Sequence, residues 1–226
     1  MTLASTVVGS LGMAAMNLPQ RAPRALVPTH VTARGLTVTR GGERLLFRDL
    51  SFEVPPGSVL HLRGPNGVGK STLLMALAGI VRPDTGTIEG IARDGVHIVN
   101  YQSGLKPRLT VAENLEFWRA VNGPSGLPVA AALEQVGIGK LAELEAGYLS
   151  SGQLRRLALG RLLVSVRPVW LLDEPSAALD AAGETLLALL IDAHRAAGGL
   201  AIIATHHDLL LGDEATIETL LLGEAA

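Results

Sequence analysis

A strand, a glycine-rich turn and a helix must follow one another without a break around Gly64-Pro65-Asn66-Gly67-Val68-Gly69-Lys70-Ser71-Thr72, and that order constrains the fold more than any other stretch. The segment fits G-x-x-x-x-G-K-[ST], whose glycines let the backbone turn tightly and aim several N–H groups at one point. The apolar run Leu73 to Leu77 supplies a helix whose positive end meets the same point, so the loop suits nucleotide phosphates. Lys70 adds a point charge there, and Ser71 offers a hydroxyl to a Mg2+ ion bridging the last two phosphates. Ser58 to Leu62 reads as the strand entering the loop, and the helix should end near Gly79 because Pro83 prevents its continuation.

A chain of 226 residues suits one well-cored α/β domain. Its net charge of −2 gives no sign of a nucleic-acid or anionic-membrane partner. Without cysteine it has neither disulfides nor thiolate metal sites. Aromatic residues make up only 3%, so Leu, Ala and Val must carry the core. Met1 to Gln20 has no charge, and Arg21, Pro23, Arg24 and Pro28 then break any regular element. That stretch lacks the basic start of a secretory signal and is too diluted by Thr, Ser, Gly and Asn to span a bilayer. It is expected to be a disordered extension, a start codon placed too early, or a short surface helix.

Leu36 to Val38 and Leu50 to Val54 alternate like strands on either side of a Gly41-Gly42 turn, and Asp84 to Thr87 reads as a turn back into strands. Val96 to Gln102 is a buried-type strand ending on Gln102, which by itself could be a satisfied loop amide. Thr110 and Glu113 have capping-box spacing ahead of a helix carrying Phe117 and Trp118, either core fillers or part of a groove for another protein. A further helix is expected from Ala130 to Val136.

Leu149 to Gln153 precedes a helix over Leu154 to Val164. Ser150 and Gln153 can be simply a helix cap, or the small residues can leave N–H groups free as a second anion site. Val169 to Glu174 is an apolar run ending in two carboxylates, as in a parallel strand whose C-terminal edge meets a ligand crevice. There Asp173 could hold Mg2+ through water and Glu174 could polarise an attacking water, unless both are merely solvated acids. Ser176 to Asp180 forms a loop, Gly183 to Ala197 a helix, and Leu200 to Ala204 a strand ending at Thr205-His206-His207. Glu214 to Leu222 finishes the sheet as an edge strand.

Taken in order, Gly64 to Thr72, Gln102, Leu149 to Gln153, Val169 to Glu174, Ser176 to Asp180 and His206 resemble the ATP-binding subunits of ABC transporters. They are similar to that family's Walker A loop, Q-loop, LSGGQ-type signature, Walker B strand, D-loop and switch histidine. The resemblance runs from Val31 to Ala226. Within the family, Arg40 to Phe47, Tyr101 to Trp118, Ser151 to Arg156 and Trp170 to Glu174 are most similar to the cytochrome c biogenesis ATP-binding subunits, the haem exporter ATPases.

The resemblance implies an α/β fold: an ABC-type P-loop NTPase core with an antiparallel β subdomain and a small helical subdomain near residues 103–165, in one domain of residues 31–226. It implies ATP with Mg2+, bound by Gly64, Pro65, Asn66, Gly67, Val68, Gly69, Lys70, Ser71, Thr72, Gln102, Ser151, Gly152 and Gln153. Ser71, Gln102 and Asp173 would be the metal ligands, and Lys70, Glu174 and His206 the catalytic residues. It also implies a second copy packed head to tail around two ATP molecules, membrane subunits of a cytochrome c maturation complex, and no nucleic acid. The work would be haem export or delivery at the cytoplasmic face of a bacterial inner membrane. Export of another small molecule is the alternative, and a soluble clamp on nucleic acid or ribosomes is disfavoured by the acidic balance. Two departures stand out: no aromatic lies near Arg40, where relatives stack adenine, and Ser151 replaces the first glycine of LSGGQ. An arginine can also stack on a flat ring, and a serine keeps its backbone N–H.

Overall fold

A computed structural model describes residues 26–41, 44–100, 104–206, 209, 211–212 and 217–223. The Met1 to Gln20 extension, Gln102, His207 and Gly42 of the expected first turn lie outside these residues. In chain order the elements are β1 (Val31–Arg40), β2 (Arg44–Val54), β3 (Val59–Arg63), α1 (Lys70–Leu77), β4 (Thr85–Glu89) and β5 (Val96–Val99). There follow α2 (Val111–Asn122), α3 (Val129–Gln135), α4 (Ser151–Val164), β6 (Val169–Asp173), α5 (Ala181–Ala196), β7 (Leu200–Ala204) and β8 (Ile217–Leu221).

Two sheets result. β2, β1 and β4 form an antiparallel sheet in that order, and β5-β6-β7-β3-β8 form a second sheet whose strands pair in parallel. Side chains alternate across the parallel sheet. Trp170, Leu172, Ala201 and Ile203 face one core, with Leu115, Leu133, Leu157 and Leu187 from the helices. Val169, Leu171, Leu200 and Ile202 face the other, with Leu36 and Phe47 of the antiparallel sheet and Leu73 and Leu74 of α1. Burial on both faces explains the uninterrupted apolar runs of β6 and β7, at about 1.5–3 kcal/mol for each large aliphatic side chain taken from water.

The order β6-β7-β3 sets the function, because it puts the C-terminal ends of three strands side by side. The glycine-rich loop leaves β3, Asp173 ends β6 with Glu174 next after it, and His206 follows β7 by two residues. Four local expectations need correction. Thr85 to Thr87 are already paired in β4, where Thr85 meets Thr37 and Thr87 meets Arg34. The strand from Val96 stops at Val99, and β6 stops at Asp173. Helix α5 begins at Ala181 because the Asp180 side chain accepts from the Gly183 N–H and caps it there.

Candidate nucleotide site

The loop between β3 and α1 is shaped by two glycines that no other residue could replace. Gly64 has φ 144°, and a Cβ there would collide with the Leu222 carbonyl; Gly69 has φ 116°, and a Cβ would press on Leu46 and Phe47 at 3.2 Å. Lys70 begins the helix and is only 7% exposed. Its Nζ donates to the carbonyls of Gly64 (2.7 Å) and Pro65 (3.1 Å), and no described carboxylate forms an ion pair with it. A buried ammonium held by carbonyl dipoles alone is an unneutralised charge, and phosphate is its natural complement.

His206 crosses from β7 to this loop. Its Nε2 lies 2.7 Å from Asn66 Oδ1, 3.3 Å from Lys70 Nζ and 3.6 Å from Glu174 Oε1. The shortest contact assigns the Nε2 proton as donated to the Asn66 amide oxygen. Lys70 is then a neighbouring cation rather than a donor to the ring. Glu174 sits in the left-handed region with φ 46°, yet its N–H still donates to Ala204 O at 2.8 Å. The backbone thus stays in register with β7 while the carboxylate turns out of the sheet. Such strain in a non-glycine residue persists only where the surroundings hold it, and it marks functional edges.

A cleft of ≈ 200 Å³ joins Arg40 to Lys70, Ser71, Thr72, Asp173 and Glu174. It adjoins one of ≈ 320 Å³ between Arg44, Leu45, Leu46 and the loop residues Pro65 to Val68. Ser71 and Asp173 share the first cleft, and oxygen donors there fit Mg2+, which takes few protein ligands and fills its shell from water and phosphate. Among the described residues, no aromatic ring lines either cleft; Phe47 lies beneath Gly69 and is buried.

Ser151, Gly152 and Gln153 line neither cleft. Ser150 Oγ accepts from the Gln153 N–H and Gln153 Oε1 accepts from the Ser150 N–H, so the capping box is formed. A Cβ at Gly152 would stand 2.9 Å from Ala178 O, which packs the helix start against the loop after Glu174. Two arginines fix that packing. Arg155 is buried and donates from Nε to Ala177 O (3.3 Å) and from Nη1 to Asn100 O (3.3 Å). Arg156 donates from Nη2 to Asp180 Oδ1 (2.7 Å), and this bond together with the Gly183 N–H holds the Asp180 carboxyl below the usual carboxylate range. Sequence reasoning missed this brace; the available signal was an arginine at an inward position of an otherwise apolar helix.

The two aromatics of α2 separate. Trp118 packs under Gly104 with the Arg161 guanidinium 3.7 Å over its ring, whereas Phe117 is 37% exposed with Lys106 Nζ 4.4 Å from its centroid. Among the described residues, no helix is long and apolar enough to cross a membrane.

Comparison with known proteins bears on the family and the fold. The family model described as ABC transporter matches residues 47–177. The cytochrome c biogenesis ATP-binding export protein CcmA of Ruegeria pomeroyi is 50% identical over 184 residues, covering 81% of this chain and 88% of that protein. Its namesake in Rhizobium johnstonii is 46% identical over 193 residues, covering 80% and 89%. Among solved structures, an ATP binding subunit of an ABC transporter superposes with a TM-score of 0.77 at 22% identity, over 87% of each chain.

Proposed function

The chain belongs to the ABC transporter family of ATP-hydrolysing subunits, and from that membership we propose that it powers an export step of cytochrome c biogenesis, moving haem or a component needed for haem attachment. The observation that carries this reading is the 50% identity with a cytochrome c biogenesis export protein across 88% of that relative's length. The cargo path belongs to membrane partners, with the chain peripheral on the cytoplasmic face of a bacterial inner membrane. Residues 31–226 act as one ATP-binding domain, and the region near 103–165, with Phe117 exposed, carries the contact to those partners.

In the proposed mechanism the ATP phosphates lie on Gly64 to Thr72, where Lys70 adds a phosphate oxygen to its carbonyl partners. Ser71, Asp173 and Gln102 would hold Mg2+, which would supply charge neutralisation for the phosphates. Glu174 aims the attacking water, its carboxylate presented to the cleft by the left-handed backbone. His206 exchanges Asn66 for the terminal phosphate and donates its Nε2 proton there. A second copy, head to tail, brings its Ser151, Gly152 and Gln153 to the same phosphate, with the Ser151 and Gly152 N–H groups as donors, which is why these residues need not reach the cleft of their own chain.

A strain lacking the chain tests the cargo. We expect it to lose covalent haem from its c-type cytochromes, seen by haem staining of separated membrane proteins, and to regain it with the wild-type chain but not with Glu174→Gln. Normal haem attachment in the deleted strain would overturn the cytochrome c reading and leave the ATPase assignment standing.

A further inference from the structure

Among the described residues, the base end of the nucleotide has arginines but no ring from its own chain. Arg40 and Arg44 line the clefts, and no described aromatic does. A purine has two flat faces, each with enough apolar area to need cover. An arginine can serve one of them.

Tyr148 is the residue that can serve the other. It is 74% exposed, although its neighbours Ala146 and Leu149 are 1% and 7% exposed. A lone exposed apolar ring is ordinary on a protein surface. This one stands on a fixed base. The Ala146 N–H donates to Leu109 O and the Gly147 N–H to Pro107 O, both at 2.9 Å. The buried Asn114 amide in turn ties down the 106–110 loop, accepting from Lys106 N–H (2.8 Å) and donating to the Thr110 carbonyl (2.9 Å). Tyr148 also comes immediately before Leu149 to Gln153, the segment that faces a partner's phosphates in the head-to-tail arrangement proposed above, on which the following inference rests. Three residues of chain reach about 10 Å, the scale that separates the terminal phosphate of an outstretched nucleoside triphosphate from its base.

We propose that Tyr148 stacks on the purine base of the nucleotide held by a second copy of this chain, completing in trans a base site that Arg40 only half builds. Nucleotide-driven pairing of two chains then depends on the base as well as on the phosphates.

The test uses the purified chain carrying Glu174→Gln, so that bound ATP persists, with Tyr148→Ala or Tyr148→Phe added. The ATP concentration that gives half-maximal dimer, followed by light scattering, should rise about tenfold with Tyr148→Ala, the scale of one lost base–aromatic stack, and return with Tyr148→Phe. At saturation, the emission of 2-aminopurine riboside triphosphate should be quenched in dimers carrying Tyr148 or Tyr148→Phe and recovered in those carrying Tyr148→Ala. An unchanged midpoint overturns the proposal. A shifted midpoint with emission still quenched in Tyr148→Ala also overturns it, by assigning Tyr148 to chain-to-chain contact. If Glu174→Gln alone forms no dimer with ATP, the head-to-tail reading fails first and this inference fails with it.

Discussion

His206 is bonded to Asn66 across 140 residues of sequence, its Nε2 2.7 Å from the amide oxygen at the mouth of the phosphate loop. The bond occupies the donor that a terminal phosphate would need. Nucleotide binding must therefore break it, at a net cost of about 1 kcal/mol. Replacing Asn66 with alanine keeps the loop N–H groups and removes that cost, so Asn66→Ala should bind ATP severalfold more tightly by calorimetry. His206→Ala should also keep binding but lose hydrolysis by tenfold or more, because it removes the phosphate donor itself. Weaker binding in Asn66→Ala would show that the amide serves the phosphate directly.

Glu174→Gln preserves side-chain size and leaves the N–H bond to Ala204, so the strained backbone at φ 46° should hold. Losing a carboxylate that orients and polarises water costs about 100-fold or more in turnover. Phosphate release by this variant should fall by at least that factor while ATP affinity stays within severalfold of the parent. Normal turnover would remove Glu174 from the mechanism.

Lys70 is a buried cation whose Nζ donates to the Gly64 and Pro65 carbonyls, so its contribution should be to the ligand rather than to the empty fold. At ATP concentrations near 100 times the dissociation constant, binding adds about 2.7 kcal/mol of stability. For a domain this long that raises the melting temperature by roughly 5–10 °C. Lys70→Met should melt close to the parent without ATP and show none of this rise with it.

The phosphate loop was legible in the sequence because its chemistry is backbone chemistry: only glycine tolerates the φ of 144° at Gly64 and the contact with Leu46 and Phe47 at Gly69. The caps of α2 and α4 were legible for the same reason, a side chain meeting an N–H three residues away. What the local pattern alone could not show was anything set by strand order. Nothing local says that β7 lies between β6 and β3, yet that adjacency brings His206 to Asn66 and Glu174. The inward position of Arg155 in α4 was a signal in the sequence, but its partners, the carbonyls of Ala177 and Asn100, were not. Phe117 and Trp118 are adjacent and chemically alike, and only packing against Gly104 and Arg161 separates the enclosed ring from the exposed one.

Two histidines buried beneath the sheet make the fold sensitive to acid. His97 donates from Nε2 to Ser165 O at 2.8 Å, and burial together with Arg161, Arg167 and His194 nearby lowers its pKa from 6.5 to about 3. His194 stacks on Trp170 at 3.9 Å, and burial lowers its pKa to about 4. Below pH 6.5 the unfolded chain takes up a proton at each position while the native chain does not, so the unfolded state binds more protons and stability falls with pH. The stability is complete above 6.5 and is lost as the pH drops toward 4, at up to about 1.4 kcal/mol per pH unit for each ring. Between pH 7 and pH 5 the melting temperature should fall by roughly 10 °C from these two groups together. His97→Gln keeps a donor for Ser165 O without a titrating ring, and it should remove about half of that fall in thermal melts recorded across the same range. An undiminished fall would mean that His97 is not the neutral, buried donor that its geometry describes.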